Sequence, residues 1–119
     1  MVPQIQSPKS SGPPLRCSVD TLADGHLVVA EGEIDIATAP LFADALDRAI
    51  AGSSGPVVID LAEIAFMDAA GLRVLSAAAA DLAGRGRPVE IRRASPLVRR
   101  VLDITCLSQF FLPTTEAKD

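Results

Sequence analysis

Pro56-Val-Val-Ile-Asp-Leu-Ala-Glu-Ile-Ala-Phe-Met-Asp-Ala-Ala-Gly-Leu72 is the stretch of this 119-residue chain whose reading decides the fold. Val57, Val58, Ile59 and Leu61 form a near-continuous apolar run, the pattern of a strand covered on both faces. After a short connection, Asp68 stands where a helix N-cap belongs, because its carboxylate can accept from the amides of a first turn. Met67 before the cap and Leu72 after it have the spacing of a hydrophobic staple. Ala69, Ala70 and Gly71 are then the first turn. Its N–H groups and the positive end of the helix dipole face whatever docks there. Function is expected at that turn.

Downstream, the helix is expected to run from 68 to about 83, with Gly84 at C′ and Pro88 just beyond. Leu72, Leu75, Ala79 and Leu82 can face a sheet. The other side, Ala70, Val74, Ala77 and Ala80, is small and apolar, with charge only at Arg73 and Asp81. Two explanations stay open: alanine favours helix, or the face is smooth so that a partner can lie close. Val89-Glu-Ile-Arg92 alternates as a short strand. Ser95-Pro96 is an N-cap followed by proline at N1. Leu97, Val98, Val101, Leu102 and Thr105 give a third helix its buried face, with Arg99 and Arg100 outward. Phe110-Phe-Leu112 reads as an added edge strand.

Upstream, residues 15–20 alternate as a half-buried strand, and Asp24-Gly25 is a hairpin turn into a second strand over 26–34. Gly32 inside it marks a bulge or a close backbone approach. Asp35-Ile-Ala-Thr-Ala-Pro40 enters a helix, with Thr38 or its neighbour capping. Phe42, Ala45, Leu46, Ala49 and Ile50 form one apolar face, and Gly52-Ser-Ser-Gly55 ends it. The order ββαβαβα(β) predicts an α/β fold, a mixed sheet of four to five strands with three main helices in a single layer pair. One domain over 15–112 is expected between a disordered tail at 1–14, rich in proline, and a flexible tail at 113–119.

About half the residues are apolar, so a folded domain is expected. Phe42, Phe66, Phe110 and Phe111 are the only aromatics, which argues against a stacking platform for single-stranded nucleic acid. Net charge is −4, acidic early and basic late; a solvated surface explains this better than a nucleic-acid patch. The basic side could steer an acidic protein partner. No secretory h-region and no transmembrane-length apolar run is visible, so a cytoplasmic protein is expected.

Catalytic chemistry is sparse. His26 is the only histidine and sits beside a turn; Asp60 could be a buried acid; Asp68 is already accounted for as a cap. Neither Gly52-Ser-Ser-Gly55 nor Gly84-Arg-Gly-Arg-Pro88 is a phosphate loop, since no Gly-Lys-Ser/Thr follows. Cys17 and Cys106 fit no metal spacing, and Cys17 shares a strand face with Leu15 and Val19. They are a candidate redox pair only if their Cα atoms lie within ~7 Å. Neither an enzyme nor a cofactor-binding protein is expected.

Gly32-Glu-Ile-Asp35 with Thr38-Ala39, Val58-Ile-Asp-Leu61, Phe66-Met-Asp68, Gly71-Leu72 and Ser95-Pro96 together resemble the STAS domain, and within it the bacterial anti-sigma factor antagonists. The resemblance covers roughly residues 15–112. It implies a STAS-like fold and a switch protein that is a monomer when free. The implied partner is an anti-sigma factor, usually a serine kinase of the histidine-kinase-like ATPase fold, and binding it frees a sigma factor to direct transcription. The implied interface joins Asp35, Ile36, Ala37 and Thr38 to Asp68, Ala69, Ala70, Gly71 and Arg73, with Val74 and Ala77. The family's usual motif is Asp-Ser-Ser/Thr-Gly-Leu, with the second hydroxyl residue phosphorylated. Here Ala69 and Ala70 replace both hydroxyls, so the usual phosphate cannot form at Ala70. The expectation is an antagonist locked in its binding-competent form, or one controlled elsewhere, by Cys17 and Cys106 redox chemistry, by Ser76 phosphorylation or by the amount of protein made. STAS domains also serve as accessory subunits of membrane transport systems and as small-molecule sensors, two further expectations.

Overall fold

The computed structural model describes residues 14–52 and 54–111. The expected tails lie outside the described residues, apart from Pro14. The chain runs β1 (Leu15–Thr21), β2 (His26–Ile34), α1 (Ala39–Gly52), β3 (Val57–Met67), α2 (Ala69–Gly84), β4 (Val89–Ala94) and α3 (Pro96–Ile104), then a 3₁₀ turn at Leu107–Phe110. The four strands form one mixed sheet in the order β1-β2-β3-β4. The β1–β2 hairpin is antiparallel, and β2–β3 and β3–β4 are parallel. Each parallel step is bridged by a helix, as a parallel connection requires.

One sheet face is the core. Val28, Ile59 and Ile91 stand in one row across β2, β3 and β4, with Val57 beside Val89; all five are buried. The predicted α1 stripe of Phe42, Ala45, Leu46, Ala49 and Ile50 closes on this face, together with Leu75, Ala79 and Leu82 of α2. Such burial typically contributes 1.5–3 kcal/mol per large side chain, roughly. The expectation that β3 is covered on both faces holds for one. Val58 alternates to the second face, where it and Leu27 and Val29 are only half-buried. Asp60 on that face is covered by Arg93, whose Nε and Nη2 donate to Oδ2 at 3.1 and 2.8 Å, while Ala62 N donates to Oδ1. Asp60 is therefore a buried acid with a structural partner, holding the irregular register between Ile59 and Asp60.

β3 is longer than the apolar run implies. The short connection expected after Leu61 is strand, because Glu63, Ile64, Phe66 and Met67 pair with Glu31, Gly32, Glu33 and Ile34 of β2. Register shifts keep Ile64 and Met67 turned into the core despite the irregular sequence. Gly32 permits this. Its φ is +120°, and a Cβ there would sit 2.2 Å from the Pro14 carbonyl oxygen, which accepts from Glu33 N at 2.8 Å. Both readings of Gly32, bulge and close approach, apply.

Several element ends differ from expectation; β4, for one, runs to Ala94 rather than Arg92. Gly84 is the last helical residue, and Gly86 (φ 67°) takes the left-handed position after α2. There Gly86 N donates to Ala83 O and Arg87 N to Leu82 O, a Schellman closure. In α3, Val98 and Leu102 are buried, but Leu97 is partly exposed and Thr105 exposed. Thr105 ends the helix and turns its hydroxyl back to donate to Val101 O. The edge strand at Phe110-Phe-Leu112 is absent from the described residues: Phe110 closes the 3₁₀ turn and Phe111 is buried against the core. Capping of α1 also differs, as described next.

Candidate functional site

β2 and β3 end side by side, and the two expected interface segments follow them. Asp68 N donates to Ile34 O at 3.2 Å, which ties the start of α2 to the end of β2. After β2 the chain turns on Asp35, whose Oδ1 accepts from Ala37 N at 2.9 Å and Thr38 N at 3.0 Å. The Asp35 carbonyl also accepts from Ala39 N at 2.7 Å. Asp35 thus caps this turn. Thr38 instead locks the loop from inside, accepting from Asp35 N and donating to Glu33 O, each at 2.9 Å. Ile36 is left at the tip, 78% exposed.

The amides of Thr38 and then Ala37, outweighing desolvation, hold the Asp35 carboxyl below its ordinary range. A depressed folded pKa means the contribution is complete above the unfolded value and disappears as pH falls through the folded one. The loop should therefore be insensitive to pH from about 8 to 5, and should loosen only below about pH 4. Amide resonances of Ala37 and Thr38 followed across a pH titration would check this; a transition near neutrality would contradict it.

Asp68 is the N-cap of α2, as the spacing predicts, accepting from Ala70 N at 2.9 Å. Gly71 in the first turn packs closely, so that a larger residue there would push Met67 or Ile34 aside. A Cβ there would lie 2.7 Å from Met67 Cγ and 2.9 Å from Ile34 Cγ2. Met67, expected to staple onto Leu72, lies against Gly71 and seats the turn on the strand ends. Of the two alanines that open α2, Ala69 is exposed while Ala70 is only 8% exposed.

Ala70 opens into a groove of about 570 Å³ between α1 and α2. Five of the expected interface residues, Ile36, Ala70, Arg73, Val74 and Ala77, line it. The other wall is the outer side of α1, including Pro40, Ala43 and Asp47, which the sequence pattern had not singled out. Asp35, Ala37, Thr38, Asp68, Ala69 and Gly71 are not among its lining residues. Cys17 lies on β1 at one sheet edge and Cys106 follows α3, and both are free. Burial pushes the Cys17 thiol up, which disfavours thiolate chemistry. His26 packs its ring toward Gly52 at the far end of α1. Arg87, read from sequence as part of a helix exit, donates to Ile50 O at 2.8 Å and Gly55 O at 3.0 Å, a cation at the C-terminus of α1. No cluster of metal-ligating side chains occurs among the described residues, nor any helix long and apolar enough to cross a membrane.

The family model described as Mlab, STAS domain, matches residues 17–113. This chain belongs to the STAS domain family. Among solved structures it is similar to an anti-sigma factor antagonist from Mycobacterium paratuberculosis, at 29% identity and TM-score 0.71, over 92% of this chain and 89% of that one. It also resembles SpoIIAA in its unphosphorylated form, at 18% identity and TM-score 0.68, over 85% of this chain and 90% of that one. For phosphorylated SpoIIAA of Bacillus the values are 19%, 0.62, 85% and 94%. At that identity the SpoIIAA likeness speaks for the fold alone. No curated protein matches the sequence. STAS membership agrees with the mixed four-stranded sheet and three main helices.

Proposed function

We propose that this chain is an anti-sigma factor antagonist that binds a serine-kinase anti-sigma factor through the Asp35 loop, the first turn of α2 and the adjoining groove. Binding frees a sigma factor and so regulates transcription. The observation that carries this reading is the small, apolar first turn of α2 just inside the Asp68 cap, where Ala70 opens into a groove that the exposed Ile36 also lines. Likeness to the mycobacterial antagonist supports it. A phosphate in that turn would bring about two negative charges to the contact, repelling a packed partner. With alanine at 69 and 70, the surface stays in its binding form. The protein is then a cytoplasmic monomer when free, regulated by its amount or at another site such as the exposed Ser76.

One observation favours a second reading. STAS domains also serve as accessory subunits of membrane transport systems, and the matching family model carries the name Mlab rather than that of an antagonist. Titration into a serine-kinase anti-sigma factor separates the two. The chain has no Trp or Tyr, so the partner's intrinsic emission reports binding directly. An antagonist shows saturable binding; a transport subunit shows none and binds a transporter ATPase instead.

A further inference from the structure

The groove has two walls of unequal history, one belonging to the expected interface and one to the outer side of α1. We propose that its occupant is a single amphipathic helix of the partner, bearing an acidic residue and, about one turn further along, a basic residue beside its apolar stripe. This rests on the docking reading for the partner's identity, though not for the groove's shape and charge.

Helices α1 and α2 each return from the end of one parallel strand to the start of the next. They therefore run side by side in the same direction, with a channel between them that a third helix can follow. Pro40 and Ala43 form one apolar wall, Val74 and Ala77 the other, over Leu46 and Ile50. The small alanine ridges let a helix axis approach to about 8–10 Å.

The rim charges set the direction. Arg73 stands about one turn below the start of α2, and Asp47 about two turns below the start of α1. Both are exposed and line the groove, and neither has an ion-pair partner among the described residues. Asp81, deeper in the channel, is already held by Arg85 at 2.8 Å. An incoming helix satisfies both free charges by bringing its acid to Arg73 and its base to Asp47. The reverse orientation sets like charges together. A lipid tail would fill the apolar channel without using either charge.

The test is a phage library of helical peptides of about 16 residues, long enough to follow four turns, selected against the full chain. Selected peptides are then measured against two groove-filled variants, Ala43→Trp and Ala77→Trp, each of which narrows the channel from a different wall. The expected result is enrichment of sequences with apolar residues at helical period and an acid and a base one turn apart. Their affinity should fall by about tenfold or more on both filled variants. Exchanging the rim charges (Asp47→Lys with Arg73→Glu) should reverse the preferred charge order, by about two- to fivefold per pair. Enrichment of aperiodic peptides, indifference to both fillers, no enrichment over the filled variants, or micromolar fatty-acid binding that selected helices do not displace would each overturn the proposal. The docking reading fails separately. Ala70→Glu can abolish kinase binding while no helix is selected, and helices can be selected while the kinase never binds.

Discussion

Ala70→Glu is expected to weaken binding of the anti-sigma factor by about a hundredfold, the scale of a buried charge left unpaired at an interface. Ala70 is almost covered by its own fold yet lines the mouth of the groove, so a longer acidic side chain must enter the docking channel. Stability should change little. An acid in the first helical turn gains about 0.3–1 kcal/mol from the dipole, against a comparable cost for partial desolvation. A melting temperature within about 5 °C of the parent, together with lost partner fluorescence change, is the expected pair of results. Unchanged affinity would remove this turn from the interface.

Phe42→Ala has the largest expected effect on stability. Phe42 is 0% exposed and sits on the α1 stripe that closes the core. Truncating a buried phenylalanine costs about 3–5 kcal/mol through lost transfer energy and the cavity left behind. Against the usual 5–15 kcal/mol for a domain, that is a large share. Thermal unfolding followed by circular dichroism should shift down by roughly 10–25 °C. Partner affinity at a temperature where the variant remains folded should stay within a few fold, since Phe42 lies beneath the groove wall. A shift of a few degrees would mean that α1 is packed less tightly than described.

The helices and most strands were legible because their signals are local. The α1 stripe repeats at helical period, Asp68 and Ser95 sit at true caps, and His26–Ile34 is the strand the turn at Asp24-Gly25 announces. The extension of β3 through residues 62–66 was not legible, because it depends on pairing with β2 across two register shifts. Local apolar pattern shows neither. Gly84 and Gly86 both offer a helix stop, and only the closing bonds to Ala83 and Leu82 decide between them. Phe110 and Phe111 suggested a strand by composition, but the left-handed Cys106 turns the chain into a 3₁₀ segment that buries Phe111 alone. Arg87 joins Ile50 and Gly55 from 37 and 32 residues away, a contact that spacing cannot reveal. Likewise the α2 half of the groove was visible as a smooth face, while the α1 half emerged only once the parallel strands set the two helices side by side.

The most direct test follows release of the sigma factor over time, with the anti-sigma kinase, this chain and ATP together. Ala70→Ser, which supplies a hydroxyl at the position proposed to match the phosphoacceptor, serves as the switchable control. An antagonist locked by alanine keeps its complex and the freed sigma factor throughout, with no phosphate on the chain, while Ala70→Ser acquires phosphate and loses the complex. Failure of the parent chain to bind at all, or decay of its complex in ATP as fast as that of Ala70→Ser, would contradict a permanently competent antagonist.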